Sequence, residues 1–288
     1  MAEFDKRVTA ARPDLADELL RGRIAAERYA AARTARVAAP SAPLRREPRP
    51  DAPLDTEALM GEAVRVFEEH EGYAWVQLEG DGYVGYLPDA VLAPDAPAPT
   101  HWVRALRTFV YPGPDLKLPP LAFLSLGAGV ATSGEAVRGY LPLAGGGFAW
   151  AAHLAPAAEV EPDPVAVAER LAGTPYLWGG KTSLGIDCSG LVQLSLAAAG
   201  IAAPRDSDQQ EAALGEEIAC GPGFGGLRRG DLVFWRGHVG MMTDGSRLLH
   251  ANGHHMAVAA EPLAEAAARI ERAGGGPVTR IRRLLGAA

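Results

Sequence analysis

The amino-acid sequence predicts an α+β protein: a short N-terminal helix, two small β-barrels and a C-terminal domain that mixes helices and strands. Three observations predict this class. Short runs rich in Val, Tyr and Trp alternate with Gly- and Pro-containing turns before residue 160, as in small barrels. Pro-rich stretches at 94–99 and 156–164 are typical of linkers. Helical and strand periodicities then alternate toward the C-terminus. The expected segments are 1–36, 37–96, 97–160 and 161–288.

Composition and charge exclude several classes of protein. The chain has 288 residues, more than one average domain, and 48% of them are apolar. It has no apolar run long enough to span a bilayer, so we expect no membrane partner. The net charge of −7 argues against nucleic-acid binding, which requires a basic face. The basic pairs Arg45-Arg46 and Arg282-Arg283 are therefore expected on the solvated surface.

Two features bear on the cellular compartment. The start Met1–Arg7 lacks the apolar core of a secretory signal, so we expect a cytoplasmic protein, with an exported one as the alternative. The two cysteines, Cys188 and Cys220, exclude a disulfide scaffold. A bridge between them is not expected if Cys188 is catalytic, and Cys220, in a Gly- and Pro-rich loop, is expected to be incidental.

The N-terminal part predicts one helix and then the first barrel. Apolar residues spaced through 14–31 on a charged, Ala-rich background favour a helix that begins after Pro13. The next apolar runs are short, β-type and separated by Glu-Gly, Asp-Gly and Pro-Asp turns. We therefore expect strands at Val64–Phe67, Tyr73–Leu78 and Tyr83–Leu87.

The second module repeats this style. Val103–Tyr111 predicts one strand, and Leu121–Leu126 predicts a short apolar strand. The segment Gly139–Pro142 has the sequence Gly-Tyr-Leu-Pro, which also occurs at Gly85–Pro88. This echo suggests two copies of one small β module.

The C-terminal part predicts the elements that would carry a site. Pro164–Ala172 predicts a short helix, and a second helix would begin near Cys188 and end at Gly200, a common helix stop. Three strands are expected to follow, with a turn at Asp244-Gly245 between the last two. They are Asp231–Trp235, Val239–Thr243 and Arg247–Asn252.

Cys188 lies where a Gly-rich loop meets the predicted second helix. A cysteine on the first turn of a helix faces unpaired N–H groups and the positive end of the helix dipole, which favour thiolate over thiol. Thiolate is the nucleophilic form, so this position suits covalent catalysis. Taken without its flanking sequence, Cys188 is more commonly explained as a small buried apolar residue.

A cysteine nucleophile needs a base, and two histidines on the predicted hairpin are candidates. If the loop is Asp244–Ser246, His250 lies opposite Gly240 and shares a face with His238, because strand side chains alternate. Cys188 could then attack, His238 could transfer the proton, and His250 could orient His238. A two-residue loop would instead place the histidines on opposite faces.

Metal binding is the alternative use of these side chains. His254 and His255 are expected on an exposed loop. Zinc coordination by these residues, His250 and a cysteine lacks the close paired spacing of known sites. We therefore expect neither a metal nor an organic cofactor.

The residues around Cys188 and the two histidines form a specific combination of motifs. In chain order the motifs are Tyr176, Trp178-Gly179-Gly180, Asp187-Cys188-Ser189-Gly190-Leu191-Val192, Pro204-Arg205-Asp206-Ser207, Gly230-Asp231-Leu232-Val233-Phe234, His238-Val239-Gly240 and Leu249-His250-Ala251.

This combination resembles the NlpC-type cell-wall peptidases, papain-like cysteine hydrolases that act on peptidoglycan stem peptides. The resemblance covers roughly residues 162–285. It implies a papain-like fold with Cys188 as nucleophile, His238 as base and His250 as third polar residue. Family members generally cleave the isopeptide bond between γ-D-glutamate and a diamino acid.

The whole chain also resembles a subgroup, the γ-D-glutamyl-L-diamino acid dipeptidyl-peptidases, in which two SH3-like modules precede the catalytic domain. Members act on free stem peptides with an unblocked N-terminal L-Ala and release L-Ala-D-Glu, a step of muropeptide recycling. The resemblance implies that a carboxylate and neighbouring groups bind the peptide's ammonium, which needs a paired anion when buried. The residues implied are Tyr176, Asp187, Ser189, Asp206 and Ser207, with Glu62 and Tyr83 as candidates from the first module, where both are equally explained as ordinary barrel surface.

Three other functions stay open at this point. An exported endopeptidase could use its SH3-like modules to bind intact peptidoglycan. An acyltransferase could pass the thioester intermediate to an amine. A non-catalytic binding protein could retain the fold, although the complete Cys/His/His set argues against that.

Overall fold

The computed structural model describes residues 4–220 and 222–284. The chain divides into two compact units, which meet in sequence at residues 159 and 160. The first unit is built from strands and short 3-10 turns, and the second combines helices with a six-stranded sheet.

The first barrel occupies the N-terminal part of the first unit. Its seven strands pair in the order β5-β4-β8-β7-β6-β3-β9, and alternate side chains of β4, such as Ala42 and Leu44, point into the core. This alternation follows from the period of two in a strand. The strands are β3 Arg33–Val37, β4 Ser41–Arg45, β5 Leu54–Leu59, β6 Ala63–His70, β7 Tyr73–Leu78, β8 Val84–Pro88 and β9 Leu92–Ala93, with a 3-10 turn at Asp89–Val91.

The predicted helix over residues 14–31 was wrong. That segment holds two short parallel strands, β1 (Leu15–Asp17) and β2 (Arg28–Ala30), joined through a 3-10 turn at Glu18–Leu20. Leu15 packs with Phe67 and Trp75 of the first barrel. The apolar residues that suggested a helical face therefore include an anchor onto a sheet, and tertiary contact outweighs the weak helix preference.

The second barrel follows after residue 100 and has its own core. It combines a three-stranded sheet, β13-β10-β16, with a four-stranded sheet, β12-β11-β15-β14. Val103, Leu124 and Ala149 are among its buried side chains. The strands are β10 His101–Val103, β11 Arg107–Tyr111, β12 Ala122–Ser125, β13 Gly129–Val130, β14 Tyr140–Pro142, β15 Phe148–Trp150 and β16 Leu154–Pro156, with a 3-10 turn at Ala151–His153.

Two expectations for the second barrel need correction. Val103–Tyr111 is interrupted, because the N–H groups of Arg104 and Ala105 donate to the His153 carbonyl. The Gly-Tyr-Leu-Pro echo does not mark equivalent positions. In the first barrel it lies on β8, which runs into the 3-10 turn, whereas the strand leading into the second barrel's 3-10 turn is β15. The two modules share this strand–turn–strand order rather than the four residues.

The second unit places a helical layer beside an antiparallel sheet of order β19-β24-β20-β21-β22-β23. The predicted helices and hairpin are present, with bounds that differ by one or two residues. The helices are α1 Pro164–Arg170, α2 Cys188–Ala198, α3 Ser207–Ala213 and α4 Leu263–Arg272. The strands are β17 Lys181–Thr182, β18 Gly185–Ile186, β19 Glu216–Glu217, β20 Leu232–Trp235, β21 His238–Met242, β22 Arg247–Asn252, β23 Ala257–Pro262 and β24 Arg280–Arg283, with a 3-10 turn at Pro222–Phe224.

Arg282 and Arg283, which were expected on the solvated surface, are half-buried and make specific contacts. Arg283 pairs bidentately with buried Asp231, at 2.8 Å and 2.7 Å, and Arg282 donates to the carbonyl of Glu211. The first contact attaches β24 to the residue before β20, and the second attaches it to α3. None of the helices in the described part of the chain is both long and apolar enough to cross a bilayer.

Candidate active site

Cys188 is the first residue of α2, as the sequence predicted, and its side chain is 7% exposed. Asp187 caps the helix by accepting a hydrogen bond from the Gly190 N–H at 2.7 Å, which satisfies one of the helix's unpaired donors. A Cβ at position 190 would lie 2.4 Å from the Gly180 carbonyl oxygen. Glycine at position 190 therefore lets the Gly-rich loop pack directly against the helix start.

The carboxylate of Asp187 is the centre of a buried network. Arg205 donates to both of its oxygens, at 3.0 Å and 2.7 Å, and is itself 1% exposed. The Gly179 N–H donates at 2.9 Å, and the Ser189 hydroxyl lies at 3.3 Å from Oδ1. A carboxylate has about four acceptor sites, so these donors and Gly190 saturate Asp187. This arrangement favours a positioning role for Asp187 over direct contact with a ligand.

Arg205 also holds the neighbouring elements in place. It donates to the Ser189 hydroxyl at 2.9 Å and to the Gly180 carbonyl at 3.3 Å. Gln210 of α3 donates to the Ser189 carbonyl at 3.0 Å. The loop before Cys188, the first turn of α2 and the start of α3 are thus connected through one guanidinium and one amide. The hydroxyl of Ser189 is already engaged in this network.

The hairpin register brings the two predicted histidines together. Met241 pairs with Leu249, and the Thr243 N–H donates to the Arg247 carbonyl at 2.9 Å. This pairing corresponds to the three-residue loop at 244–246, so the prediction made for that loop length is confirmed. His238 Nε2 lies 2.8 Å from His250 Nδ1, and His250 is fully buried.

The structure extends this pair by two residues that the sequence analysis did not identify. His250 Nε2 lies 2.8 Å from Glu261 Oε1 on β23. Arg269 of α4 forms an ion pair with the same carboxylate. A carboxylate only accepts hydrogen bonds, so His250 carries its proton on Nε2 and accepts at Nδ1. His238 then donates from Nε2, which leaves Nδ1 as its unprotonated nitrogen.

The backbone brings Cys188 to the start of β21, next to the residue that follows His238. The N–H of Val239, the residue after His238, hydrogen bonds to the Cys188 sulfur, as does the N–H of Ser189. Burial raises the pKa of Cys188 to about 12, with the charge of Asp187 adding to the rise, and these hydrogen bonds and Arg205 oppose it only in part. Burial therefore opposes the preference for thiolate that the helix start was expected to give, and the charge state of Cys188 stays a prediction.

His238 is correspondingly neutral. Burial, followed by the charges of His250 and Arg269, lowers its pKa to about 3. These two shifts favour a thiol and a neutral imidazole in the resting enzyme over a thiolate and an imidazolium. Nucleophile formation then requires proton transfer to His238 as the sulfur attacks, which is general-base catalysis.

This resting state predicts the pH dependence of alkylation by iodoacetamide. In a Cys220→Ala background, the alkylation rate at Cys188 should rise by roughly tenfold per pH unit between about pH 6 and 9. Only the thiolate reacts, and its fraction increases with pH as long as the pH stays below the pKa of the thiol. Mass spectrometry of quenched samples measures the rate. A rate that is constant from acid to neutral pH would instead indicate a preformed thiolate–imidazolium pair and would contradict this prediction.

The other predicted residues of the second unit lie around Cys188. Tyr176 is half-buried in the Gly-rich loop, and burial, followed by the charges of Cys188 and Asp187, raises its pKa. Asp206 is half-buried at the start of α3, where its charge interacts with Arg205. Ser207 follows it and is buried. Tyr176 and Asp206 are thus brought near the helix start as predicted by the motif pattern, and their contact with substrate stays a prediction.

Glu62 and Tyr83 belong to the first unit. Glu62 lies in the turn before β6, where its carbonyl accepts from the Val37 N–H at 3.0 Å. Tyr83 precedes β8, is 5% exposed and lines a groove of the first unit together with Arg12 and Trp75. Glu62 is absent from the lining of that groove. Roles for both residues in substrate binding stay predictions.

Of the residues in this site, Arg205, Glu261 and Arg269 were missed. Arg205 lay within a quoted motif, and its position between a proline and a carboxylate was the available signal. Glu261 and Arg269 had no local signal. Within residues 4–220 and 222–284, no group of three or more His, Cys, Asp and Glu side chains is arranged to hold a metal ion.

Comparison with known families identifies two regions of the chain. Residues 44–92 match the family described as the bacterial dipeptidyl-peptidase SH3 domain, and residues 173–269 match the NlpC/P60 family. A solved structure of an NlpC/P60 family protein from Bacillus cereus ATCC 10987 has a TM-score of 0.71 at 21% identity. It covers 88% of this chain and 99% of that one, so the two share a fold.

Individual proteins are similar to this chain over different lengths. "Dipeptidyl-peptidase 6" of Lysinibacillus sphaericus is 38% identical over 79 residues, 27% of this chain and 28% of that protein. The "Gamma-D-glutamyl-L-lysine dipeptidyl-peptidase" of Bacillus subtilis is 35% identical over 27% of this chain and 28% of its own length. The chain thus spans about a quarter of these relatives. The protein of the same name from Bacillus cereus is 26% identical over 73% of this chain and 71% of its own.

Proposed function

From the premise that this chain carries a papain-like NlpC/P60 domain behind a bacterial SH3 domain, we propose that it is a cysteine peptidase of peptidoglycan stem peptides. It hydrolyses the bond between γ-D-glutamate and a diamino acid in peptides with a free N-terminal L-Ala, and it releases L-Ala-D-Glu. The observation that carries the proposal is the hydrogen-bonded His238–His250 pair adjoining the backbone contact from Val239 to Cys188.

Acylation begins when the Cys188 sulfur attacks the γ-carbonyl of the D-glutamyl residue. The thiol proton passes to Nδ1 of His238, the nitrogen that its hydrogen bond to His250 leaves unprotonated. The Cys188 N–H has no acceptor within the helix, because it lies in the first turn. It is placed to donate to the oxyanion of the tetrahedral intermediate.

Collapse of this intermediate expels the amine of the diamino acid, which takes the proton from His238. The L-Ala-D-Glu unit stays on Cys188 as a thioester. Water then attacks the thioester while His238 accepts a proton from it, and the returning proton regenerates the thiol. His250 supports the imidazolium formed in each step, because it accepts the hydrogen bond from His238 Nε2.

Selection of a free amino end is assigned to carboxylates near Cys188. An ammonium group that loses water in a closed pocket needs a paired anion. Asp206 is half-buried at the start of α3 and offers one, and the neighbouring polar groups of Tyr176 and Ser207 are the further candidates in the second unit. Asp187 and Ser189 contribute by positioning, since their oxygens are engaged with Arg205.

Free and N-acetylated L-Ala-γ-D-Glu-diaminopimelate test this proposal. The free peptide should be cleaved to L-Ala-D-Glu, whereas acetylation should lower kcat/KM by roughly 100-fold or more, because it removes a paired charge worth several kcal/mol. Mass spectrometry of the products measures both. Equal cleavage of the two peptides would contradict selection of the amino end.

The same assay separates the other candidate functions. Digestion of whole sacculi in preference to free peptide would favour a wall endopeptidase, and amide products formed with added amine would favour an acyltransferase. Peptide binding without turnover would favour a binding protein. The proposal includes action in the cytoplasm, where a reducing environment preserves a free thiol such as Cys188, and fractionation with an antibody tests that placement.

A further inference from the structure

The strand next to the predicted hairpin brings a carboxylate to the back of the histidine pair. β22 and β23 pair antiparallel, with His250 opposite Ala259 and Leu248 opposite Glu261. Ala259 and Glu261 point to the same face because strand side chains alternate. Glu261 is thus the diagonal neighbour of His250, and its Oε1 lies 2.8 Å from His250 Nε2.

The carboxylate is itself fixed from a separate element. Arg269 of α4 forms an ion pair with Glu261. The helix is held in place by Leu263 and Ala266, which are buried on its inner face. His255 from the loop after β22 is the further titratable group near this carboxylate, with its Nδ1 at 3.9 Å. The groups facing His250 are therefore His238 from β21, Glu261 from β23, Arg269 from α4 and His255 from that loop.

The charge on Glu261 is favoured by these neighbours. Burial acts to raise the pKa of Glu261, but the hydrogen bond from His250 and the electrostatic effects of His250 and Arg269 outweigh it and lower that pKa below its ordinary value. Burial lowers the pKa of His250, and Glu261 offsets that effect only in part. The pair is thus a carboxylate and a neutral imidazole, which leaves one tautomer of His250 compatible with both of its contacts.

We infer that Glu261 is a positioning residue that acts through His250 to select the tautomer of His238 and so makes Nδ1 its basic nitrogen. The expected change in kcat rests on the proposed function, whereas the expected tautomers of His238 and His250 do not. A neutral amide at position 261 could present its N–H, rather than an oxygen, to His250 Nε2. His250 would then accept a hydrogen bond at Nε2 and would change to the other tautomer. His250 Nδ1 would then donate, His238 Nε2 would accept, and the proton would move onto the nitrogen that must receive one from Cys188.

The matched variants are Glu261→Gln, which keeps the shape and removes the charge, and Glu261→Asp, which keeps the charge at shorter reach. Glu265→Gln is the control, because Glu265 is an exposed carboxylate on α4. For Glu261→Gln we expect kcat on the free tripeptide to fall roughly 10- to 100-fold, as for other residues that orient an imidazole. KM should stay within about twofold, since no substrate contact changes.

Two further readouts distinguish positioning from a general loss of structure. Glu261→Asp should recover part of the lost kcat, and the acid limb of the kcat/KM profile should move to lower pH in Glu261→Gln, because removing the negative charge makes the imidazoles harder to protonate. Glu265→Gln should match wild type in both. Unchanged kcat and an unchanged acid limb in Glu261→Gln would overturn the inference.

Nitrogen-15 NMR of histidine-labelled protein tests the inference without substrate. In the wild type, Nε2 of both His238 and His250 should carry the proton, and Glu261→Gln should shift part of this population to Nδ1. If the wild type shows these tautomers but cleaves no stem peptide, the proposed function fails and the inference stands. Wild-type and Glu261→Gln spectra with identical tautomers would overturn the inference whatever the substrate.

Discussion

Replacing Cys188 with alanine should lower the hydrolysis of free stem tripeptide by roughly 10⁴-fold or more, because a triad without its nucleophile retains only the contribution of binding and oxyanion stabilisation. Cys188→Ser tests the chemistry further. A serine hydroxyl is far less acidic than a thiol, and His238, whose pKa is lowered to about 3, is a weak base, so we expect it to be nearly as inactive. Initial rates from product mass spectrometry measure both variants.

Cys220→Ala is the matched control for the loss of a thiol, because Cys220 is exposed and forms no disulfide. It should retain wild-type kcat and KM. Cys188→Ala should still bind the tripeptide in isothermal calorimetry, since its helix cap and the Asp187–Arg205 pair do not involve the sulfur. Retention of more than about a tenth of wild-type activity by Cys188→Ala would exclude Cys188 as the nucleophile.

Replacing Arg205 with methionine should destabilise the second unit by about 3–5 kcal/mol, because it leaves the carboxylate of Asp187 buried without its partner. Each kcal/mol corresponds to about 2 °C in Tm or more for a unit of this size, so calorimetry should show the affected transition at least about 6 °C lower. Activity at a temperature where the variant is folded should also fall, since Arg205 positions the Gly-rich loop and the first turn of α2.

Arg104→Met provides the comparison for an exposed ion pair. Arg104 lies 2.8 Å from Glu159, and both side chains are largely accessible to water. Exposed pairs contribute about 0–1 kcal/mol, so Tm should change by no more than about 4 °C. An Arg205→Met protein with the same Tm as Arg104→Met would show that the buried pair contributes no more than a surface contact.

Much of the C-terminal fold followed from local rules. The helix α2 begins at Cys188, directly after its cap Asp187, and it ends just before Gly200. The strand Arg247–Asn252 was predicted with the bounds that β22 has in the structure. The loop of three residues between β21 and β22 fixed which face each histidine occupies. These features depend on a few neighbouring residues, so periodicity and turn chemistry predicted the helix and the strands, whereas the length of the loop was left open between two and three residues.

The errors arose where distant contacts decide the outcome. Leu15 was assigned to a helix because its spacing with Leu19 and Ile24 fits a helical period, but it is buried against Trp75 of the first barrel. For Cys188 the helix dipole was considered without the burial beside Asp187, which acts on the thiol pKa in the opposite direction. In both cases the surroundings come from residues far away in the chain.

By itself, the sequence determined the helix start at Cys188, the hairpin that carries His238 and His250, and the family pattern that connects them. Only the tertiary structure decided what surrounds these residues: Arg205 closing the network of Asp187, and Glu261 with Arg269 behind His250. The physical reason is range. Helix caps and hairpin registers are set within a few residues, whereas a buried charge is tolerated only when a partner from another element is brought to it by the fold.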